Sequence, residues 1–321
     1  MSCDANGLVL VAPVLNEEKI IVRFLERVFA IAGPAHIRGV VIVDDGSTDG
    51  TCRTLREFLA KTSGDRPRVR LLRLSRNFGH QVAVVAGIEA AVAWAGQSGA
   101  GLIGLIDADL QDRPEDLTAL LAAVRDADVA YGVRARRSEG PLFRIAAVTF
   151  HWLLARTARF AIPRDAGTFS VIRLHAARVI AAESHQTPYF PALRAWVGFR
   201  QVGVPLVRDE RAGDTSRVGA LGLVRLALTA LLSFSDLPLS FLVVMASTTI
   251  LGSICAALLM VGLKLAGLVQ VQGTALILIS IFLSLGILSM QIALLAHALG
   301  RARAEASRSS GYVVMADEGG L

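Results

Sequence analysis

The stretch Leu102-Ile103-Gly104-Leu105-Ile106-Asp107-Ala108-Asp109 combines an apolar run of strand length with two carboxylates one residue apart. Four more short apolar runs occur in residues 1–134, and segments with helical apolar spacing separate them. Apolar strands that alternate with helices predict an α/β fold with a mostly parallel sheet covered on both faces. The predicted strands are residues 8–12, 40–43, 69–74, 102–106 and 129–131, and the predicted helices cover residues 17–32, 51–61 and 80–94.

Polar clusters follow the predicted strands. Ligands of parallel α/β sheets bind beyond the carboxyl ends of the strands, so we expect these clusters to meet in one crevice. They are Asn16-Glu17-Glu18, Asp44-Asp45, Ser75-Arg76-Asn77, Asp107-Ala108-Asp109 and Arg134.

Asp107 and Asp109 are predicted to bind a divalent cation, with Gln111 as a further oxygen ligand. Mg²⁺ prefers oxygen ligands in octahedral geometry and is usually held by one or two carboxylates plus substrate phosphates. The competing interpretation is a cluster that caps the helix expected near Glu115, and Asp112 is the residue expected to serve as that cap.

Asp44 and Asp45 end the second predicted strand, where adjacent carboxylates can accept hydrogen bonds from a base or a ribose. A helix N-cap is the alternative role. Glu17 follows the first strand and is expected to face the same crevice. The sequence lacks a Gly-x-Gly-x-x-Gly motif after the first strand and a Walker lysine loop, so dinucleotide-binding and P-loop proteins are not indicated.

Two long segments, residues 237–263 and 265–300, contain no charged residue. A membrane-spanning helix needs about 20 apolar residues, so each segment is long enough for one span. We predict transmembrane helices at about residues 238–263 and 273–299. A pair of buried core helices is the alternative.

The charges that flank these segments predict their orientation. Residues 1–7 lack the basic region of a signal sequence, so the globular part is expected to start in the cytoplasm. By the positive-inside rule, both ends of the hairpin face the cytoplasm, and residues 301–321 form a cytoplasmic tail that is expected to be loosely ordered. The flanking arginines are Arg217 and Arg225 before the first span and Arg301, Arg303 and Arg308 after the second, whereas the connection carries only Lys264.

The formal net charge of +6 does not indicate nucleic acid, because basic residues concentrate beside apolar segments. Residues 134–164 contain seven arginines and one acid, Glu139, which favours lipid headgroups and phosphates as partners. Residues 141–162 and 221–234 are predicted interfacial helices, although an amphipathic helix on the globular part explains residues 141–162 equally well. The three cysteines are far apart and imply no disulfide framework or metal cluster.

Four motifs, in this order, resemble the signatures of family 2 glycosyltransferases. Within that family the chain resembles the dolichyl-phosphate mannose synthase and bacterial polyprenyl-phosphate sugar synthase group, for which the segment Ser75-Arg76-Asn77-Phe78-Gly79-His80 is typical. The motifs are residues 11–18, 43–51, 74–81 and 107–112, and further matches are residues 132–134 with Arg137, residues 196–199 and residues 233–235 before the two spans.

This resemblance implies a GT-A domain in residues 1–220 that binds a nucleotide-sugar, Mg²⁺ or Mn²⁺ as cofactor, and inversion at the anomeric carbon. It also implies a polyprenyl-phosphate acceptor at the cytoplasmic face of the inner membrane and membrane lipids as partners. A homo-oligomer is compatible with this resemblance. The donor-binding residues implied are Pro13, Glu17, Asp44, Asp45, Asp107 and Asp109, the acceptor or phosphate ligands are Arg134, Arg137 and Arg217, and the catalytic residues are Asp109 and Arg134.

The chain departs from the group in two places on the acceptor side. Gly167-Thr168-Phe169-Ser170-Val171 stands where the group usually has Gly-Asp-Phe-Arg-Leu, so an acid and an arginine are missing. The later Arg-x-x-Gly-x-Ser-Lys-Tyr pattern becomes residues 211–217, one residue shorter before the glycine, with Arg217 in place of the lysine. These departures leave open a transferase that extends a lipid-linked glycan.

Two further alternatives are less consistent with the sequence. A processive synthase needs more spans and usually a Gln-x-x-Arg-Trp motif, which Arg194-Ala195-Trp196 does not match. A non-catalytic membrane scaffold that retains the fold would not need Asp107 and Asp109.

Overall fold

The computed structural model describes residues 7–62, 66–134, 166–183, 190–206, 237–268, 273–306 and 311–319. The chain divides into two compact units, one built around a sheet and the other containing two long helices. The strands are β1 (Leu8–Val14), β2 (Ile37–Asp44), β3 (Arg68–Leu74), β4 (Leu102–Leu105), β5 (Val129–Arg134), β6 (Ala166–Arg173), β7 (Gln201–Leu206) and β8 (Val314–Glu318). The α-helices are α1 (Ile21–Ala30), α2 (Thr51–Lys61), α3 (His80–Ser98), α4 (Leu117–Ala123), α5 (Leu174–Ala182), α6 (Phe190–Trp196), α7 (Leu237–Leu265) and α8 (Gly273–Ala306).

The eight strands within the described residues form one sheet in the order β7-β5-β6-β4-β1-β2-β3-β8. β1 pairs in parallel with β2 and β4, β2 with β3, and β5 with β7. β6 and β8 run antiparallel to their neighbours. The predicted α/β fold with a mostly parallel sheet is confirmed, and the two antiparallel strands are additions that the apolar pattern did not predict.

Both faces of the sheet are covered, which explains why the central strands are apolar throughout. All seven residues of β1 are buried. One face packs against α1 and α2, and the other packs against α3. Gly87 allows the close approach of α3, because a Cβ there would lie 2.3 Å from Val11 Cγ1 and 2.9 Å from Val43 Cγ2.

The described elements differ from the sequence prediction in three main respects. The first helix begins at Ile21 instead of residue 17, because residues 16–18 form a loop in which Asn16 adopts a φ of 55°. β6 and β7 were not predicted at all. The expectation of a loosely ordered tail is wrong, since Val314–Glu318 form an edge strand of the sheet. The interfacial helices predicted at residues 141–162 and 221–234 lie outside the described residues.

The second unit contains α7 and α8, whose apolar stretches Val243–Leu265 and Ile277–Gly300 are long enough to cross a membrane. Their mean hydropathies are 2.1 and 2.3, and only 11% of each stretch is buried within the chain. The alternative of two buried core helices does not fit such exposed apolar surfaces. The helices meet through small residues: a Cβ on Gly286 would lie 2.7 Å from Ile250 Cγ1 and 3.4 Å from the Ala246 carbonyl oxygen.

Candidate active site

The carboxyl ends of β1, β2, β3 and β4 lie at one edge of the sheet, because these strands are mutually parallel. The structure therefore brings the polar clusters of residues 16–18, 44–45, 75–77 and 107–109 to the same edge, as the sequence predicted. β6 runs the other way, so its first residues, Ala166 and Gly167, also lie at this edge.

The loop after β1 is fixed to the turn after β2. The Asn16 N–H donates to Ser47 Oγ at 2.9 Å, and the Thr48 N–H donates to Asn16 Oδ1 at 2.9 Å. The Glu17 N–H donates to Thr51 Oγ1 at 2.9 Å. These bonds hold Glu17 next to the end of β2, which agrees with its expected place in the crevice.

Pro13 and Glu18 contribute to this frame. Pro13 is buried within β1 opposite Val43. Glu18 Oε2 accepts a hydrogen bond from the Gly50 N–H at 3.0 Å, at the start of α2. The structure thus gives Glu18 a supporting role that the sequence did not specify.

Asp44 is completely buried, and both of its oxygens accept hydrogen bonds from the protein. Oδ1 accepts from the Ser47 N–H at 2.9 Å, and Oδ2 accepts from Cys52 Sγ at 3.0 Å and from Arg73 Nε at 3.1 Å. Burial and the bond to Asp44 raise the pKa of the Cys52 thiol to about 12, so the thiol remains a donor at neutral pH. Asp44 therefore organises the turn after β2.

Asp45 links β2 to the loop after β3. Its Oδ1 accepts from the Phe78 N–H at 2.7 Å, and its Oδ2 accepts from the Gly79 N–H at 2.9 Å. Burial raises the pKa of the Asp45 carboxyl, while the two N–H donors act in the opposite direction. Neither Asp44 nor Asp45 caps α2, whose N-cap residue is Gly50, so the N-cap alternative is wrong.

Gly46 makes the close contact between the two segments possible. Its φ is 74°, and a Cβ there would lie 2.5 Å from the carbonyl carbon of Arg76 and 2.6 Å from the Asn77 nitrogen. A side chain at this position would collide with backbone atoms. Residues 44–46 thus hold residues 75–79 in place. We call residues 75–79 the donor loop because they lie beside Asp44 and Asp45, which the sequence predicts to bind the nucleotide-sugar donor.

Asp107 and Asp109 follow β4 in a turn that contains Leu110 with a φ of 60°. Asp107 Oδ1 lies 3.5 Å from His80 Nε2, and Asp109 Oδ1 accepts from the Gln111 N–H at 3.1 Å. No role for His80 was predicted from the sequence, although His80 belongs to the motif of residues 74–81 and begins the helix that was predicted from residue 80.

Helix capping does not explain the two carboxylates. The helical turn Pro114–Asp116 has Arg113, and not the expected Asp112, as its N-cap residue. Among the described residues no group of three or more His, Cys, Asp or Glu side chains could enclose a metal ion. Two carboxylates that share a cation with a substrate diphosphate are nonetheless the usual arrangement for Mg²⁺, so these residues fit a divalent cation.

The described part of the acceptor side consists of the ends of β5 and β6. Arg134 is the last residue of β5, and its backbone is paired with Leu206. Thr168, which stands where the resembled group usually has an acid, is the third residue of β6. Ser170 is fully buried and donates a hydrogen bond to the Thr168 carbonyl at 2.9 Å. Arg137 and Arg217 lie outside the described residues.

Arg194 is a buried cation that the sequence analysis did not identify. It is completely buried, and its guanidinium carbon lies 4.2 Å from the centre of the Tyr131 ring and 5.6 Å from that of Phe190. Its Nη1 donates to the Gly167 carbonyl at 3.3 Å. Arg194 thereby supports the start of β6 at the edge that carries the candidate site.

Residues 9–180 match the model of glycosyl transferase family 2. The chain is 33% identical to the glycosyltransferase YkcC of Bacillus subtilis (strain 168) over 72% of this chain and 69% of the relative. It is 28% identical to the undecaprenyl-phosphate 4-deoxy-4-formamido-L-arabinose transferase of Pectobacterium carotovorum subsp. carotovorum (strain PC1), over 82% of this chain and 78% of the relative. It is 32% identical to the bactoprenol glucosyl transferase of Shigella phage SfV, over 72% of each chain.

The chain belongs to glycosyltransferase family 2. It is a glycosyltransferase, and the family and the GT-A type of α/β fold predicted from its sequence are confirmed.

Proposed function

We propose that the chain transfers a sugar, with inversion, from a nucleotide-sugar to a polyprenyl phosphate at the cytoplasmic face of the inner membrane. The observation that carries the proposal is the position of Asp107 and Asp109 at the end of β4, beside the donor loop and in a chain with two candidate membrane-spanning helices. Two relatives named for undecaprenyl phosphate and bactoprenol support a polyprenyl-phosphate acceptor.

The donor is proposed to lie along the carboxyl ends of β1 to β4. Glu17, Asp44 and Asp45 are expected to shape the nucleoside end of this crevice. Because both oxygens of Asp44 and of Asp45 already accept bonds from the protein, their contribution is chiefly to hold the surrounding backbone in place. Pro13 is expected to form part of the wall through its place in β1.

The diphosphate is proposed to share a divalent cation with Asp107 and Asp109. When bound, Mg²⁺ or Mn²⁺ supplies positive charge that stabilises the departing nucleoside diphosphate. The hydrogen bond from the Gln111 N–H orients the Asp109 carboxylate, and His80 packs beside Asp107. The side-chain oxygen of Gln111 is proposed as a further ligand.

The proposed reaction forms a bond between a phosphate oxygen of the acceptor and the anomeric carbon, while the bond from that carbon to the diphosphate breaks. Attack from the face opposite the leaving group inverts the configuration. A phosphomonoester with a second pKa of about 6 is already largely ionised at neutral pH, so no general base is required. Positioning and charge stabilisation then provide most of the rate acceleration.

Arginines on the acceptor side are proposed to hold phosphate. Arg134 ends β5 at the same sheet edge as the carboxylates, and arginine binds phosphate through two parallel hydrogen bonds. Arg137 and Arg217 are proposed to add positive charge for the lipid phosphate. Residues 1–220 would then form the catalytic domain, and residues 237–300 its membrane anchor.

The proposed topology places both ends of the hairpin in the cytoplasm. Independently of the flanking arginines, the fold supports the placement of both ends on one side of the membrane, and the arginines indicate that this side is the cytoplasm. β8 follows α8 in the chain but pairs with β3, so the chain must return to the side of the membrane on which the sheet lies. An even number of crossings between β7 and β8 satisfies this requirement.

A transferase that extends a lipid-linked glycan is the second candidate. Thr168 and Ser170 occupy the positions of an acid and an arginine that polyprenyl-phosphate synthases usually carry. β6, which contains both residues, begins beside the carboxyl end of β4. A sugar hydroxyl acceptor would require a general base. Incubation of the membrane protein with candidate donors and with polyprenyl phosphate, followed by mass analysis of the lipid product, distinguishes the two.

A further inference from the structure

The C-terminal segment, residues 311–319, covers the outer side of β3, which would otherwise be the last strand of the sheet. β8 pairs antiparallel with β3 from Leu71 opposite Glu318 to Leu74 opposite Val314. The pairing continues beyond β3, where the Ser75 N–H donates to the Val313 carbonyl at 2.9 Å. Without this segment, β3 would present a row of unpaired backbone groups to solvent.

Side chains of the C-terminal segment reach elements on both faces of the sheet. Glu318 accepts two hydrogen bonds from Arg56 of α2, at 2.9 and 2.5 Å. Tyr312 donates to Glu89 Oε2 of α3 at 2.6 Å, and burial, together with this bond, raises the pKa of the Tyr312 hydroxyl. Because α2 and α3 pack on opposite faces of the sheet, the segment connects both helices to the strand β8 that it forms beside β3.

A third side-chain contact lies on β3 itself. Asp317 accepts two hydrogen bonds from Arg70, at 2.8 and 2.6 Å. Arg70 and Arg56 lower the pKa values of Asp317 and Glu318, so both acids are ionised at neutral pH. The ion pairs are partly exposed, which makes them individually weak and sensitive to salt.

The C-terminal segment is continuous with the donor loop. The loop begins at Ser75, whose N–H is held by Val313, and ends at Phe78 and Gly79, whose N–H groups are held by Asp45. His80, the next residue, lies beside Asp107. The segment therefore fixes one of the two ends of the loop that leads into the candidate site.

We propose that the C-terminal segment is a positioning element for the donor site: when docked on β3 it holds the donor loop and increases affinity for the nucleotide part of the donor. The inference rests on the proposed function, in which the donor binds at the carboxyl ends of β1 to β4.

The test compares two truncated chains, both purified in detergent with the helical hairpin intact. One ends at Ser309 and lacks the segment, and the matched control ends at Gly319 and keeps it. Binding of UDP, GDP and CDP is measured with Mn²⁺. We expect the chain ending at Ser309 to bind the preferred diphosphate about tenfold more weakly, equivalent to about 1.4 kcal/mol, with acceptor KM unchanged. We expect the control to match the full chain.

Hydrogen exchange measured on the same proteins separates a local effect from general unfolding. Amides of residues 72–79 should exchange faster in the chain ending at Ser309, while those of β1 and β4 should not change. Equal diphosphate affinity in the two truncated chains, or unchanged exchange in residues 75–79, would overturn the inference. If the full chain binds none of the diphosphates, the proposed function fails, and hydrogen exchange alone decides whether the segment holds the loop.

A charge exchange tests docking without removing the strand. Asp317→Arg should weaken docking by placing two cations together, and a second change, Arg70→Asp, should restore the pair and the diphosphate affinity. If Asp317→Arg leaves affinity and exchange unchanged, the segment does not position the loop. If the double variant fails to recover while both variants remain folded, the Arg70 contact is not the basis of docking and this part of the inference is wrong.

Discussion

His80 Nε2 lies 3.5 Å from Asp107 Oδ1, so the first residue of α3 meets the first carboxylate after β4. The two residues are brought together because β3 leads into α3 through the donor loop, and β4 ends at the same edge of the sheet. Asp45 fixes the end of that loop through the Phe78 and Gly79 N–H groups. Segments that are distant in sequence thus form one continuous candidate site.

The carboxylates after β4 provide the first prediction. Asp109→Asn and Asp107→Asn should each reduce kcat by about 100-fold or more, because charge on the leaving diphosphate would lose its stabilisation. Chelator should have the same effect on the unchanged chain. The matched control is Asp126→Asn, an exposed acid before β5 at the opposite edge of the sheet. Full activity in excess chelator would show that the reaction does not need a metal.

The second prediction concerns Arg134. A charge-assisted hydrogen bond to phosphate contributes about 1.5–3 kcal/mol, so Arg134→Ala should lower kcat/KM by roughly ten-fold to more than a hundred-fold in detergent. Arg134→Lys should recover only part of this, since lysine cannot form two parallel bonds. Arg125→Ala, at an exposed position before β5, is the control.

Separate variation of the two substrates then assigns Arg134 to one of them. A rise in acceptor KM alone would place Arg134 on the lipid phosphate, and a rise in donor KM alone would place it on the diphosphate. If neither changes, Arg134 is a surface residue and the assignment is wrong.

The third prediction is a pH-dependent stability effect of the Arg27–Glu115 pair. Arg27 donates to Glu115 at 2.9 and 2.6 Å and lowers the pKa of that carboxyl. A carboxyl with a depressed pKa stabilises the fold above its unfolded pKa of about 4.3, and the contribution is lost as pH falls through the folded pKa. Arg27→Met should therefore lower the free energy of unfolding by at most about 1 kcal/mol at pH 7, because the pair is partly exposed.

Chemical denaturation at several pH values measures this effect. The difference between Arg27→Met and the unchanged chain should shrink as pH falls below about 4. A difference in unfolding free energy that stays constant from pH 7 to pH 3 would mean that lost packing of Arg27, and not its charge, is responsible.

The fourth prediction concerns membrane topology. A reporter fused after Leu321 should read cytoplasmic, as should one fused after residue 220, because β8 belongs to the same sheet as β1. A reporter near Ala266, after α7, should read external. Opposite signals from the two ends would rule out a hairpin.

The strands at the centre of the sheet could be predicted from the sequence because each is a short run of buried apolar residues that ends in a polar cluster. β1, β2 and β4 follow this pattern, whereas Arg68, Arg70 and Arg73 interrupt the buried residues of β3. The parallel arrangement of the four strands brings Asp44, Asp45 and Asp107 to one edge. The candidate site could be proposed from the sequence for the same reason, because the carboxyl ends of neighbouring parallel strands lie side by side.

The edge strands could not be predicted in the same way. β7 alternates between half-buried and exposed residues, and β8 contains Asp317 and Glu318, whose charges are balanced by Arg70 and Arg56 from distant parts of the chain. The charge pairs of β8 join residues that are far apart in the sequence, so no local pattern predicts them. The role of Asp45 as the acceptor for the Phe78 and Gly79 N–H groups was missed for a related reason, since those two donors belong to a distant loop.

The most direct test of the proposed function is a donor screen in which purified protein in detergent receives polyprenyl phosphate and a panel of nucleotide-sugars with Mg²⁺ or Mn²⁺. The lipid product is identified by mass and the anomeric configuration by NMR. We expect one donor to yield a polyprenyl-phosphate monosaccharide of inverted configuration, and the Asp109→Asn variant to yield none. Transfer only to a lipid-linked glycan, with none to polyprenyl phosphate, would contradict the proposed acceptor.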